Sequence, residues 1–133
     1  MRTLVGAGAA GGLAGGLAAI GGRLVAGFEL VASLVGLDGE IRPAAAVITG
    51  EGCLDAQSFS GKVVGGVASR SASAGRPVLC VAGRVTGEGA RQAAARGLDA
   101  VSLSERFGEE RAMARPLELV AEVVAAWLGD TFA

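Results

Sequence analysis

The chain of 133 residues has no histidine and no tyrosine, and aromatic side chains make up only 4% of it. The lack of histidine excludes Ser-His-Asp and Cys-His catalysis and the common zinc sites, all of which need an imidazole. Lys and Arg total 12, Asp and Glu total 13, and no run of basic residues occurs. This balance of charge argues against nucleic acid as a partner.

Cysteine is also scarce, and the two that occur match no metal-binding spacing. Cys80 lies in an apolar run and is predicted to be a small buried side chain. Cys53 lies among polar residues, and we assign it no role. Because nothing indicates a disulfide framework, we expect a cytoplasmic protein.

Residues 3–22 carry no charge and eight glycines. A membrane span is disfavoured because Gly and Ala contribute little to insertion, so we expect no membrane partner. Gly6, Gly8 and Gly11 match the dinucleotide-binding pattern G-x-G-x-x-G, but the segment at the required spacing resembles a helix rather than a second strand. The favoured interpretation is a close-packed helix over residues 9–20, whose glycine-rich start could bind an anion through free N–H groups.

From residue 43 onward, short buried runs alternate with helical spacing. Strands are predicted at residues 45–49, 78–82 and 100–103. Helices are predicted at residues 61–74, in a short stretch up to residue 96, and from Pro116 near the end. The order βαβαβα implies parallel strands joined by right-handed crossovers. We therefore expect an α/β fold with a parallel sheet, preceded by a Gly/Ala-rich helical segment.

Polar loops are predicted after each of the three strands. In open α/β sheets such loops meet at the carboxyl edge of the sheet, where ligands bind. We expect one crevice to be shared by charged and hydroxyl side chains from all three loops: Glu51, Asp55, Lys62, Arg84, Thr86, Glu88 and Glu105.

The first of these loops suits phosphoryl transfer. Lys62 could meet phosphate at a helix N-terminus, and Glu51 or Asp55 could hold Mg²⁺ or orient a hydroxyl group. The loop is not a Walker A motif, because Val63 follows Gly61-Lys62 where Ser or Thr is required. The alternative is structural: Asp55 or Ser58 would cap a helix, and Lys62 would be a solvated charge.

Two motifs are specific enough to compare with known families: GAGAAGGL at residues 6–13 and VITGEG-x-LD-x-QS-x-x-GK at residues 47–62. Together they resemble the bacterial glycerate kinase family. The sequence GLD at residues 36–38 and the continuation through residues 67–83 resemble the same family. The similarity covers nearly the whole chain.

The resemblance implies an ATP- and Mg²⁺-dependent kinase of the glycerate 2-kinase type that converts D-glycerate to 2-phosphoglycerate. It implies catalytic roles for Glu51, Asp55 and Lys62, with the two carboxylates also contacting the metal. It implies substrate or nucleotide contacts at seven further positions: Gly6, Gly8, Gly11, Thr49, Gly50, Gln57 and Ser58. Residues 1–42 would be the end of an inserted domain, and residues 43–133 the C-terminal α/β part of a Rossmann-like domain.

Family members are much longer, and their Asp-Ser-Phe-Lys-Gly run does not occur here. We therefore expect the chain to correspond to the final third of such an enzyme. The alternatives are a non-catalytic α/β fragment and a nucleotide-binding regulatory module. An incomplete sheet would leave an unpaired edge, through which the chain could form a homo-oligomer.

Overall fold

The computed structural model describes residues 4–133. A 3-10 helix at Ala9–Gly12 precedes three helices: α1 (Leu13–Ala19), α2 (Gly27–Leu34) and α3 (Leu37–Ile41). The helix predicted over residues 9–20 is confirmed only in its second half. Ala10 and Gly11 have φ values of 52° and 66°, in the left-handed region, so the α-helix begins at Leu13.

The central element is a three-stranded parallel sheet in the order β1-β2-β3. Its strands are β1 (Val47–Leu54), β2 (Val78–Val85) and β3 (Asp99–Ser102). Helix α4 (Val63–Ser73) joins β1 to β2, and α5 (Gly87–Ala94) joins β2 to β3. The chain then forms α6 (Leu103–Phe107), α7 (Glu109–Ala114) and α8 (Pro116–Phe132). The predicted α/β fold, a partial Rossmann-like parallel sheet, is confirmed.

The first two strands extend further than their composition suggests. Residues 50–54 and 83–85 were expected in loops, but they continue β1 and β2 in register, with Leu54 opposite Val85. The glycines explain the difference. A Cβ at Gly50 would lie 2.6 Å from the Val81 carbonyl oxygen, and a Cβ at Gly83 would lie 2.8 Å from the Gly52 oxygen. Glycine is required here by close strand pairing rather than by a turn.

Helices cover the sheet on both faces. On the first face, β2 packs against α4 and α5 through a core that includes Leu54, Val64, Val67, Ala68, Val78, Cys80 and Ala82. On the second face, β2 packs against α6, α7 and α8 through Leu79, Val81, Leu103, Ala112, Leu119 and Val123. Strand β1 lies at one edge of the sheet, and on the second face Ile48 remains 41% exposed.

The N-terminal helices attach to the α/β part through α4. The ring of Phe28 lies directly against Gly66, where even a Cβ would collide with it. The Arg70 guanidinium is 4.8 Å from the centre of that ring and forms ion pairs with Glu29 of α2 and Asp38 of α3. The hydrogen bond from Arg70 lowers the pKa of the Glu29 carboxyl. In residues 4–133, no helix is both long and apolar enough to cross a membrane.

Candidate functional site

The loop after β1 is organised by Asp55. Its Oδ1 accepts hydrogen bonds from the N–H groups of Gln57 (2.8 Å) and Ser58 (3.2 Å). The Asp55 N–H donates in return to Ser58 Oγ at 3.0 Å, which completes a capping box on the 3-10 helix Ala56–Phe59. Asp55 and Ser58 therefore cap a helix, which is the structural alternative that the sequence had left open for them. Ser58 is buried, and its hydroxyl is engaged within the loop.

Lys62 lies at the other end of this loop, immediately before α4. Gly61 has a φ of +74°, which turns the chain into the helix. The Lys62 ammonium is exposed, and its recorded contact is a 3.5 Å hydrogen bond to the side-chain oxygen of Gln57. No carboxylate in the described part of the chain lies within 4.0 Å of it. An unneutralised cation beside the N-terminus of an 11-residue helix is well placed for an anionic ligand.

Glu51 is placed inside β1 rather than in the loop. It is opposite Ala82, and its negative charge adds to the effect of burial in raising the pKa of the Cys80 thiol on the neighbouring strand. Its Oε1 atom is buried and has no hydrogen-bond partner within residues 4–133. Burying a polar atom without a partner is costly, so this oxygen favours a cation or a hydrogen-bond donor as a ligand.

The structure brings some of the predicted residues together and separates others. Thr86 joins the first two loops, since its N–H donates to the Leu54 carbonyl at 3.0 Å and its hydroxyl caps α5. Thr49 and Gly50 lie inside β1, so Thr49 is about 16 Å along the strand from Leu54. On the surface of α5, a hydrogen bond from Gln92 and an ion pair with Arg91 lower the pKa of the Glu88 carboxyl.

The glycines of the first motif form a separate local structure. Gly6 and Gly11 have φ values of 87° and 66°, and Gly15 donates to the Ala7 carbonyl at 3.0 Å. Gly8 lies at the start of the 3-10 helix. No hydrogen bond in the described chain links this segment to residues 55–62. The contact of Gly6, Gly8 and Gly11 with substrate or nucleotide therefore stays a prediction.

The carboxylates suit Mg²⁺ only in part. No group of three or more Asp, Glu or Cys side chains within residues 4–133 is arranged to hold a metal ion. Mg²⁺ bound with nucleotides commonly takes one or two carboxylates and completes its shell with phosphate oxygens and water. Glu51 and Asp55 lie four residues apart in extended chain, about 13 Å along it, so each can supply one such carboxylate. The unpartnered Oε1 of Glu51 is the atom that favours a cation.

The architecture defines an α/β domain whose polar loops lie at the carboxyl edge of a parallel sheet. Residues 1–129 match the model of the glycerate kinase family, and the chain belongs to that family. It is 34% identical to a glycerate kinase of Halalkalibacterium halodurans, over 98% of this chain and 37% of that protein. It is 41% identical to the glycerate 2-kinase of Escherichia coli K12, over 65% of this chain and 23% of that protein.

A third relative is an uncharacterized protein of Mycobacterium bovis, which is 37% identical over 95% of this chain. That match covers 34% of the relative's own length. The chain thus spans about a third of the length of this relative and of the Halalkalibacterium halodurans glycerate kinase, 34% and 37% respectively. The resemblance seen in the sequence motifs is confirmed at the level of the family.

Proposed function

We propose that this chain takes part in ATP- and Mg²⁺-dependent phosphorylation of D-glycerate to 2-phosphoglycerate. The observation that carries the proposal is the family match over residues 1–129, which includes the whole loop between β1 and α4. The relatives named glycerate kinase and glycerate 2-kinase support this reaction class. Both free cysteines fit a reducing compartment, so we propose that the protein acts in the cytoplasm.

Three side chains divide the chemistry in this proposal. Lys62 meets the phosphates of ATP at the N-terminus of α4, where its charge stabilises the phosphoryl group in transfer. Glu51 and Asp55 contact Mg²⁺ or orient the attacking hydroxyl of glycerate. Mg²⁺ would neutralise charge on the phosphate oxygens. Gly6, Gly8, Gly11, Thr49, Gly50, Gln57 and Ser58 are retained as candidate contacts with substrate or nucleotide.

Asp55→Asn separates the chemical role of Asp55 from its structural role. Asparagine caps helices about as well as aspartate, so we expect unchanged thermal stability. We expect turnover to fall by orders of magnitude because the carboxylate charge is lost. The measurement is ATP-dependent phosphorylation of D-glycerate by the 133-residue chain, with phosphorus NMR to distinguish the 2-phosphate from the 3-phosphate.

Asp55→Ala is the control, since it removes both cap and charge and costs about 0.5–2 kcal/mol of stability. Full turnover by the Asn variant would remove Asp55 from the mechanism. A folded wild-type chain without turnover would favour the second candidate, a non-catalytic α/β module or nucleotide-binding regulatory domain. That candidate is supported by the short span of the chain relative to its family. Self-association through the free edge of β1 belongs with this second candidate.

A further inference from the structure

A pocket of about 350 Å³ opens at the ends of β1 and β2, beside α6 and α7. It lies on the second face of the sheet, whereas α4 lies on the first. Its polar and glycine lining consists of Gly52, Cys53, Gly83, Arg84, Ser104 and Glu109. The volume is within the range of small-molecule sites in proteins. Four of its eight lining residues, at positions 52, 53, 83 and 84, were expected in loops but lie in strands, and the other four lie in α6 and α7.

Arg84 supplies the cation of this pocket. Its recorded hydrogen bond is a weak one, from Nη2 to Cys53 Sγ at 3.8 Å. Within residues 4–133, no carboxylate lies within 4.0 Å of the Arg84 guanidinium. A guanidinium carries a planar set of donors that matches both oxygens of a carboxylate. Arg84 is therefore a ready anchor for an organic anion.

Gly52 keeps the pocket open. A Cβ built on Gly52 would meet no atom within 4 Å, and the residue does not have a left-handed φ. The fold thus tolerates a side chain at this position, unlike position 83, where a Cβ would lie 2.8 Å from a backbone oxygen. Because Gly52 lines the pocket, we expect a valine side chain at this position to reduce the pocket's volume.

The remaining polar groups select the kind of anion. Glu109 at the start of α7 and Ser104 of α6 line the same pocket and carry hydrogen-bond acceptors, and the Ser104 hydroxyl also pairs with that of Ser102 at 3.3 Å. A carboxylate in the lining disfavours a highly charged phosphate but can accept a hydrogen bond from an alcohol. One cation with nearby acceptors matches a small hydroxy acid better than it matches a nucleotide.

The pocket adjoins the phosphate-handling loop. Cys53 lines the pocket, and Asp55 follows it by two residues, so their Cα atoms lie no more than about 7 Å apart. We propose that Arg84 anchors the carboxylate of the hydroxy-acid substrate in this pocket, with its hydroxyl directed towards Asp55. The identity of that acid as glycerate rests on the function proposed above.

The test is calorimetric titration of the 133-residue chain with D-glycerate. We expect Arg84→Ala to weaken binding at least tenfold and Gly52→Val to weaken it similarly, at a melting temperature equal to that of the wild type. Arg84→Lys should bind with intermediate affinity, because it keeps the charge and loses the planar donor set. Arg91→Ala is the matched control, as it removes an exposed arginine from α5, and it should bind like the wild type.

Glycerol is the probe for the carboxylate, since it keeps the three-carbon polyol and lacks the charge. We expect no measurable binding of glycerol. The inference is overturned if the wild-type chain does not bind D-glycerate, if glycerol binds equally well, or if either Arg84→Ala or Gly52→Val binds D-glycerate normally.

Titration with ATP and Mg²⁺ distinguishes this inference from the proposed function. ATP binding that is lost in Lys62→Ala, together with D-glycerate binding that ignores Arg84, would overturn the pocket and leave the kinase proposal in place. Arg84-dependent binding of D-glycerate without any binding of ATP would support the pocket and overturn the kinase proposal.

Discussion

At the scale of single residues, Cys80 and Glu51 show how neighbouring strands alter chemistry. Cys80 is fully buried in the centre of β2. Burial, with a smaller contribution from the Glu51 charge, raises the pKa of the Cys80 thiol to about 12. Cys53, in contrast, is half-buried and lines an open pocket. The two thiols should therefore differ in reactivity, since the thiolate is the nucleophile.

We expect iodoacetamide at pH 8 to label one cysteine of the native chain, Cys53, and both cysteines in denaturant. Mass spectrometry of tryptic peptides measures the site of labelling. Cys53→Ser is the control and should abolish native labelling. Equal labelling rates for the two thiols would show that Cys80 is accessible.

Because the Cys80 pKa is raised on folding, its contribution to stability is complete below about pH 9 and lost as the pH rises towards 12.

At the scale of elements, α4 connects the two halves of the chain. Its Gly66 receives the ring of Phe28, and its Arg70 pairs with carboxylates of α2 and α3. The ion pairs are partly exposed, so they contribute little by themselves. The N-terminal helices are held mainly by apolar packing, through the close contact of α2 with Gly66 of α4 and through Leu37 of α3, which packs against the core.

Gly66→Val should detach α2 from α4, because the added side chain would collide with the Phe28 ring. Overpacking of this kind costs about 1–3 kcal/mol. Thermal unfolding measures the loss of stability, and hydrogen exchange should show faster exchange in α2 than in β2. Gly39→Ala is the control: its Cβ would meet nothing within 4 Å, and alanine favours a helix, so stability should not fall. Equal stability of Gly66→Val and the wild type would show that the contact between Phe28 and Gly66 does not hold α2 against α4.

At the scale of the whole molecule, β1 leaves the sheet open on one side. All eight of its residues lack a strand partner on the outer edge within residues 4–133. The strand contains neither proline nor lysine, the residues that commonly protect an edge. Ile48 is 41% exposed beside this edge. Glu51 is the one charged residue of this strand, and an edge with an exposed aliphatic side chain can serve as a template for pairing with another strand.

We expect the isolated chain to self-associate as its concentration rises, and Ile48→Lys to shift it towards the monomer by adding a charge to the edge. Analytical ultracentrifugation measures the distribution. Leu117→Lys replaces an aliphatic residue that is 85% exposed on α8, far from the edge in sequence, and should leave association unchanged. A monomer at every concentration for the wild type would argue against pairing through β1.

The sequence by itself determined the order of the three strands with the helices between them, and the family, but it did not predict α3, α6 or α7. Apolar periodicity reflects which side chains must be buried, so it located the three strands and helix α8, and the motifs at residues 6–13 and 47–62 indicated the glycerate kinase family. The loop that contains Asp55 and Lys62 was also predicted, because a run of polar residues after an apolar strand indicates that the chain has left the buried sheet. Arg84 was predicted to share a ligand crevice at the carboxyl edge of the sheet, but not to lie with Cys53 and Glu109 in a pocket beside α7.

Only the tertiary structure decided where the strands end and which face each side chain occupies. Gly50, Gly52 and Gly83 indicate turns when composition alone is considered, but the neighbouring strand requires the close approach that Gly50 and Gly83 permit. When a strand extends a few residues further than expected, those residues belong to the strand rather than to a loop. Their side chains then alternate between the two faces of the sheet. The pocket of Arg84 and the unpartnered oxygen of Glu51 depend on that placement, which arises from strand pairing and not from local sequence.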